Sequence, residues 1–497
     1  MRADRQHRRD TGPQPVDDPV DTAQPDDVPV DDEGAVRMTA VAPARVRKGR
    51  GIELVLLLFA VGIVTLAYCN VELAVNDALP PNLLVQVGWL LGVALAFHLV
   101  LRWRASYADP ILLPLATLLN GLGLVMIHRL DLAHGRDLGS SLALRQLIWT
   151  AVSVVVALVV LVVLRDHRVL RRYTWTFGLG GFVLLLLPLA PGIGRAVNGS
   201  RIWIGLGPFT FQPGEIAKIT LAIFFAAYLV TTRDALSVAG RKVLGLTLPR
   251  GRDLGPIVVV WLLSVGVLVF ESDLGTSLLF FGIFVAMLYL ATERISWIVI
   301  GLLLFCVGAY VAYLMFGHVQ TRVLLWLHTF SPEALKASDQ LAKGIMGMAS
   351  GGMFGTGLGN GRPDITYFAE SDFIFSSFGE ELGLIGVFAI LMLYVLFVER
   401  GLRTALGTRD GFGKLLAAGL SFSVALQCFV VVGGVTRVIP LTGLTLPFLS
   451  YGGSSLLANW TLVALLLRIS DQARRPEPDP GVRPSSSSEE TQVVKLR

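Results

Sequence analysis

LRQLIWTAVSVVVALVVLVVLRDHRVLRR, residues 144–172, decides what kind of fold this chain adopts. Its first part, Leu144 to Leu164, is apolar over a length that lets one helix cross a bilayer, which takes roughly 20 residues. Arg165, Arg168, Arg171 and Arg172 follow at once. Arginine gathered just beyond a span keeps that end in the cytoplasm. The same pattern repeats on both sides of this segment. It predicts twelve spans, at about 52–72, 83–101, 110–127, 144–164, 174–190, 214–231, 255–270, 274–291, 296–316, 378–398, 413–432 and 447–468. Arg45, Arg47, Lys48 and Arg50 precede the first span, Arg102 and Arg104 follow the second, and Arg233, Arg241, Lys242, Arg250 and Arg252 follow the sixth. Arg294, then Arg400, Arg403 and Arg409, then Arg468, Arg474 and Arg475 complete the series. Every cluster falls on one side of a twelve-span count, so both termini are expected in the cytoplasm.

Composition agrees. The 497 residues are 53% hydrophobic and 16% charged, against roughly 25% charged in a soluble domain. The fold class expected is all-α, a polytopic membrane bundle of about twelve helices. Net charge is +5, and its placement along the chain carries more information than its sum. No nucleic-acid partner is expected. Cys69, Cys306 and Cys428 lie in apolar stretches without CxxC spacing, which supports neither a disulfide framework nor a cysteine metal site. The first apolar run starts near Ile52, too far from the start for a cleaved signal. Segments 1–50 and 471–497, rich in Asp, Pro, Ser and Arg, are read as disordered cytoplasmic tails. Residues 51–105 hold two helices ahead of a core at 106–470.

The face opposite the arginines receives the loop 191–213, a tight turn at Glu271 to Asp273, a long loop at 317–377 and the loop 433–446. A loop longer than about 12–15 residues usually binds something or is disordered. The aromatics, glycines and mixed charge of 317–377 predict an ordered segment with short helices. Four polar clusters sit on this face. In the first, Pro213 is a natural first helical residue, and Glu215 and Lys218 share one face of the helix it starts. Glu215 either complements the helix dipole or lines a cavity with Lys218, since ionisable groups within spans usually mark a site. Arg201 and Trp203 beside it suit a phosphate and a sugar or lipid face. Gln212 precedes the proline. In the second cluster, Asp273 either caps the next helix or joins the site.

The third cluster, Glu370 to Gly383, holds Asp372 just outside an apolar aromatic stretch, where desolvation would lift a carboxylate toward general-base range. A solvated or capping role is the alternative. Glu380 and Glu381 fall in the first turn of the next helix, where dipole complementarity is the plainer account. The fourth cluster, Pro440 to Ser455, includes Pro447 and Ser450. Its small residues permit close helix approach, and its bent backbone can line a cavity. Gly355 to Gly361, GTGLGNG, has glycine spacing like a nucleotide loop. Without a strand before it and a helix after it, it reads as a flexible turn near the site.

Together these clusters resemble the SEDS family of shape, elongation, division and sporulation proteins (FtsW/RodA/SpoVE) over about residues 110–470. The family's QPSE-x-x-K element appears at Gln212 to Lys218 with Gly214 for Ser, and PDLGT at Ser272 to Thr276 with Ser for Pro. TDFIFA…GEELG appears at Ser371 to Gly383, and LPFxSYGGSS at Leu446 to Ser455. The family usually has ten spans, so the two before residue 102 look like an addition. Asn120 to Asp131 and Val431 to Thr445 look more like the RodA branch of high-GC Gram-positive bacteria than the FtsW branch.

The resemblance implies a transferase, a peptidoglycan glycosyltransferase that polymerises lipid II in complex with a class B penicillin-binding protein and other elongation or division machinery. A GlcNAc 4-hydroxyl would attack the MurNAc anomeric carbon of a second lipid II and release undecaprenyl pyrophosphate with inversion. Asp372 matches the family's essential loop aspartate and is the base the resemblance implies. Lys218, Arg201, Arg195 and Lys343 are candidate pyrophosphate partners, with Glu215 and Asp273 beside them. Trp203, Gln212, Glu380, Glu381, Pro447 and Ser450 are candidate lining residues. A divalent cation, Mg or Mn, could share the leaving-group task, though no ligand cluster demands one. A lipid II flippase or a non-catalytic scaffold are the alternative readings.

Overall fold

The computed structural model describes residues 49–476 except 138, 198–199, 207–208, 238–241, 244–245, 248–258, 261, 264–265, 267–270 and 272. Ten helices in it are long and apolar enough to cross a membrane. They are α1 (Arg50–Asn76), α2 (Leu83–Arg104), α3 (Leu112–Ala133), α4 (Leu142–Val163), α7 (Pro213–Ser237), α8 (Leu274–Thr292), α9 (Ile295–Met315), α13 (Ile374–Gly407), α14 (Gly411–Val435) and α15 (Gly453–Arg474). Shorter helices are α5 (Val169–Arg172), α6 (Thr174–Leu186), α10 (Gly317–Leu327), α11 (Pro332–Ala337) and α12 (Gln340–Gly351). The chain is a multi-pass membrane protein.

Not all of the twelve expected spans appear as drawn. The fifth, 174–190, is a shorter apolar helix ending in a 3-10 turn at Leu189, about 24 Å long at 1.5 Å per residue. Pro188 stands in that last turn and closes it. The seventh, 255–270, falls largely outside the described residues, as do the tail residues 1–48 and 477–497. At the C-terminal end, residues 471–474 belong to α15 and not to a tail. Asp471 is fully buried there, accepting from Tyr107 N at 2.9 Å and Arg475 Nη2 at 2.8 Å.

The last span also starts later than expected. Residues 446–452 are apolar enough to read as helix, yet they form an irregular segment before Gly453. Hydropathy counts these residues but does not register that Pro447 and the two glycines break the helical hydrogen bonds. The all-α expectation needs small antiparallel sheets added as well, including a two-stranded one pairing Lys242–Val243 with Leu246–Thr247. β1 (Gly194–Val197), β2 (Ser200–Leu206) and β3 (Phe209–Phe211) form an antiparallel sheet in the loop 191–213, with Arg195 opposite Trp203 and Ile204 opposite Phe211. Ile202, Trp203 and Ile204 are the β-branched and aromatic types that strands favour.

α15, α14 and α3 form the buried centre, whereas α9 and α2 turn apolar side chains such as Leu302, Tyr310 and Leu84 outward, as helices facing lipid should. Polar bonds tie the centre together: Trp460 Nε1 donates to Asn120 Oδ1 at 2.9 Å between α15 and α3. On the arginine-bearing face Asp109 accepts from Arg400 Nη2 at 2.6 Å and from Arg474, joining the start of α3 to the ends of α13 and α15. Asp410 caps α14 through Gly413 N at 2.7 Å. Burial pushes its pKa up, but His167 and the Gly413 N–H outweigh this and hold it at about 2.

Candidate functional site

On the opposite face the 317–377 segment folds as α10, α11 and α12 and then turns into α13. Asp372 lies in that turn, two residues before α13 begins. The 446–452 segment holds the turn by its backbone. Ser450 Oγ accepts from Leu446 N at 2.8 Å and donates to Ser371 O at 2.6 Å, while Tyr451 N donates to Glu370 O at 2.7 Å. Tyr394 donates its hydroxyl to Pro447 O from α13. Ser450 therefore holds the residue just before Asp372, and Pro447 ties the same segment to α13. Phe368 and Phe448, both at positive φ (58° and 68°), flank these contacts, and strain of this kind, worth roughly 1–3 kcal/mol each, persists only where surrounding structure imposes it.

Arg322 on α10 completes the group, and the sequence motifs did not point to it. Its Nη1 donates to Leu441 O at 3.0 Å and Thr442 O at 2.9 Å. Its Nη2 and Asp372 Oδ2 flank Gly443, lying 4.0 and 3.8 Å from where a β-carbon there would sit. Trp326 Nε1 donates to Arg437 O at 3.0 Å and Arg437 Nε donates back to Trp326 O at 3.1 Å, so further bonds fasten α10 to the 433–446 segment. The available sequence signal was the charge itself: a cation on the face opposite the arginine clusters runs against the trend that orients the chain.

Asp273 caps α8, accepting from Thr276 N at 3.1 Å. The capping reading is therefore the observed one, but Asp273 also shares the field of Arg322. Burial raises the Asp273 pKa, against Thr276 and Arg322, which lower it. Protein encloses the Asp372 carboxylate while part of the residue's surface still reaches solvent. Burial pushes its pKa up to about 6, against the Ser371 hydroxyl and Arg322. Burial pushes the Arg322 pKa down, against the two aspartates. Two carboxylates and one guanidinium thus share a desolvated environment and act on one another. Among the described residues no group of three or more His, Cys, Asp or Glu could hold a metal ion. Arg322 already places positive charge beside the two aspartates.

The Pro213 helix meets the same region. Gly214 faces Thr276 on α8 at 3.8 Å, measured from its would-be β-carbon, and Gly275 packs on Leu444. Lys218 is 1% exposed. Its Nζ donates to Glu215 Oε2 at 3.0 Å and to Gln427 Oε1 at 2.8 Å, and Gln427 Nε2 donates on to Thr445 O at 2.9 Å. Gln212 is buried beside this chain of bonds. Breaking a buried ion pair at one partner costs about 3–5 kcal/mol, so Lys218→Met should lower the thermal unfolding midpoint in detergent. Adding Glu215→Gln should restore much of the loss.

The remaining candidates lie elsewhere. Arg201 is exposed on β2, beside Trp203. Lys343 on α12 pairs with Asp339 Oδ2 at 2.8 Å and lies 4.7 Å above the Tyr367 ring. Among the described residues no hydrogen bond or ion pair joins Arg195, Arg201, Trp203 or Lys343 to Asp372. Glu380 and Glu381 fold the glycine loop. Glu380 Oε1 accepts from Arg362 N at 2.6 Å, and Glu381 accepts from Gly359 N at 3.1 Å and from Arg129 Nε at 3.0 Å. Thr356 N and Gly357 N donate to the carbonyls of the same two residues at 3.0 and 2.9 Å. The loop expected to be a flexible turn is therefore pinned at each step. Its glycines at 355, 357 and 359 have φ between 83° and 95°, a region that side chains disfavour. Gly383 has φ 68°, and a β-carbon there would lie 2.2 Å from Gly355 N. Gly383→Ala should unseat the loop, seen as faster proteolysis within 355–361.

The cell cycle protein family model that joins FtsW, RodA and SpoVE matches residues 110–475. The chain belongs to this family. Peptidoglycan glycosyltransferase RodA of Mycobacterium tuberculosis (strain ATCC 25618 / H37Rv) is 51% identical over 449 residues, covering 89% of this chain and 94% of that protein. RodA of Mycobacterium leprae (strain TN) is 49% identical over 451 residues, covering 89% and 94%. Among solved structures, Thermus thermophilus rod shape determining protein RodA has a TM-score of 0.53 at 26% identity, covering 76% of this chain and all of that one. A chain from a peptidoglycan synthase complex, solved for its coordination of polymerization and crosslinking, has a TM-score of 0.57 at 26% identity, covering 74% and 98%. Within this FtsW/RodA/SpoVE chain, α1 and α2 precede the stretch that the family model matches.

Proposed function

We propose that this chain is a RodA-type peptidoglycan glycosyltransferase that polymerises lipid II, with Asp372 as the general base. The observation that carries this reading is the enclosed Asp372 carboxylate, raised to a pKa of about 6 and held between Arg322 and the Ser450 segment. A base poised near the working pH combines the right protonation state with useful driving force. The acceptor's GlcNAc 4-hydroxyl gives its proton to Asp372 as its oxygen bonds to the MurNAc anomeric carbon of the donor. The bond from that carbon to the pyrophosphate oxygen breaks, and undecaprenyl pyrophosphate leaves with the bonding electrons. Arg322 faces the charge that develops, where a fixed donor in a desolvated site is most effective. Arg201, Lys343 and Arg195 are proposed to meet the pyrophosphate and sugars at the rim. Lys218 with Glu215 and Gln212 shapes the recess from behind.

The arginine clusters lie on the far side of the bundle from Asp372, which supports an extracytoplasmic site, cytoplasmic termini and residence in the bacterial cell membrane. A class B penicillin-binding protein is the proposed partner, in keeping with the related chain that comes from a synthase complex. The test is conversion of lipid II into long glycan chains by the purified chain with that partner, its transpeptidase site blocked. Chains are expected. Their absence from an intact complex, with labelled lipid II instead changing leaflet in vesicles, would replace the polymerase by a flippase. Absence of both activities would leave a scaffold.

A further inference from the structure

A cavity of about 300 Å³ lies between α1, α2, α3 and α4, apart from the Asp372 recess. Its lining changes character with depth. Along α1 it runs from Val64 past Tyr68 to Glu72, and along α3 from Leu124 past His128 to Asp131. On the antiparallel helices the same change runs backward in number, from Leu90 to Asn82 on α2 and from Leu147 to Ser141 at α4. Apart from Thr65, whose hydroxyl bonds back to Val61 O, and Leu132, the lining is apolar at one depth and polar at another, the polar end lying away from the arginine clusters. Val64 to Glu72 spans about 12 Å along a helix, most of the ~15 Å that is half of a bilayer's hydrocarbon core. Gly121 sets the floor: a β-carbon there would lie 2.3 Å from Val64 Cγ2.

The polar end carries charge of both signs. Glu72 Oε1 meets His128 Nε2 at 2.8 Å, and Asp131 Oδ1 meets Arg136 Nη1 at 3.1 Å. A guanidinium has five donors. The Arg136 side chain is 24% exposed at the mouth, open to a further anionic oxygen. Asp131 is filled by Arg136, Ser141 Oγ and the Leu142 and Ala143 N–H groups. From this geometry we infer that the cavity binds one acyl chain of an outer-leaflet zwitterionic phospholipid, with its phosphate at Arg136 and its ammonium toward Glu72. Amphiphile polarity and cavity polarity then match along the same axis. The site is also placed to influence the outer loop. Leu358 packs on the Val64, Val71 and Val125 cluster that borders the cavity, and a β-carbon on Gly359 would lie 2.6 Å from Ala74 Cβ on α1. Lipid binding here is independent of the reaction proposed for Asp372.

The test places the full chain in nanodiscs with phosphatidylethanolamine bearing a photoreactive diazirine in one acyl chain, and maps labelled peptides by mass spectrometry. Labelling should concentrate on the cavity-facing residues of α1 to α4. Filling the cavity by Val87→Trp with Ala143→Phe should cut it about tenfold, a change of ~1.4 kcal/mol, in variants shown to remain monodisperse. Arg136→Gln, at the exposed mouth, should weaken labelling by phosphatidylethanolamine and phosphatidylglycerol alike, because both carry the phosphate that its guanidinium would hold. Label no denser in the cavity than on the outward faces of α2 and α9, label undiminished in the filled variant, or equal labelling by phosphatidylglycerol in the unsubstituted chain would each overturn the assignment. Displacement by an equimolar polyprenyl phosphate would also overturn it, reassigning the cavity to the reaction's own lipids.

Discussion

Asp372→Asn is expected to slow glycan polymerisation by about two to four orders of magnitude, the range that a positioned general base contributes. The amide has the carboxylate's shape and cannot take the acceptor's proton. The bonds that hold the turn come from Ser450 and Tyr451 to backbone carbonyls at 371 and 370, so the fold does not depend on the carboxylate. The unfolding midpoint should therefore stay close to the parent's. Lipid II consumption measured with the blocked partner checks the rate. The pH profile supplies a second check. Asp372 must be ionised to act, and its pKa stands at about 6. The rate should be level well above pH 6 and fall about tenfold per unit well below it. A flat profile between pH 5 and 8, or an Asn variant as fast as the parent, would remove Asp372 from the role of base.

The parts that were legible in the sequence depend on local composition. Span after span was readable because about 20 apolar residues and a following arginine cluster are both contiguous signals. Asp372 stood out as a candidate because its polar turn adjoins an apolar aromatic stretch, while its reading as the base came from the family resemblance. Bonds between distant segments escaped. Arg322 meets Leu441 and Thr442 across a separation of 119 and 120 residues, and nothing near Arg322 in the chain announces those carbonyls. Glu380 and Glu381 illustrate the converse error. Their expected place in a first helical turn suggested dipole complementarity or site lining, yet α13 begins at Ile374 and carries them past its first turn, where they receive the backbone N–H groups of Gly359 and Arg362. The glycine loop lacked a helix and strand to make it a nucleotide site, but its glycines are spaced for close approach to α13. Composition registers glycine there without showing what comes near it.

The second large effect is expected at Arg322. Arg322→Ala should slow polymerisation by about two to three orders of magnitude, the cost of removing one fixed donor aimed at developing charge. It should also move the acidic limb of the pH profile. Arg322 favours the ionised form of Asp372, so without it the Asp372 pKa rises and the limb shifts to higher pH. A purely structural role predicts something different. If Arg322 only fastens α10 to the 441–442 carbonyls, Ala would lower activity in step with stability and leave the limb near pH 6. Arg322→Lys separates the two further, because an ammonium keeps the charge but cannot reproduce the planar fork that spans both carbonyls. Lys should hold the limb close to its parental pH while losing part of the rate. A limb unmoved in Ala would confine Arg322 to holding the loop, and would leave the charge on the departing pyrophosphate to be met from the rim, by Arg201, Lys343 or Arg195.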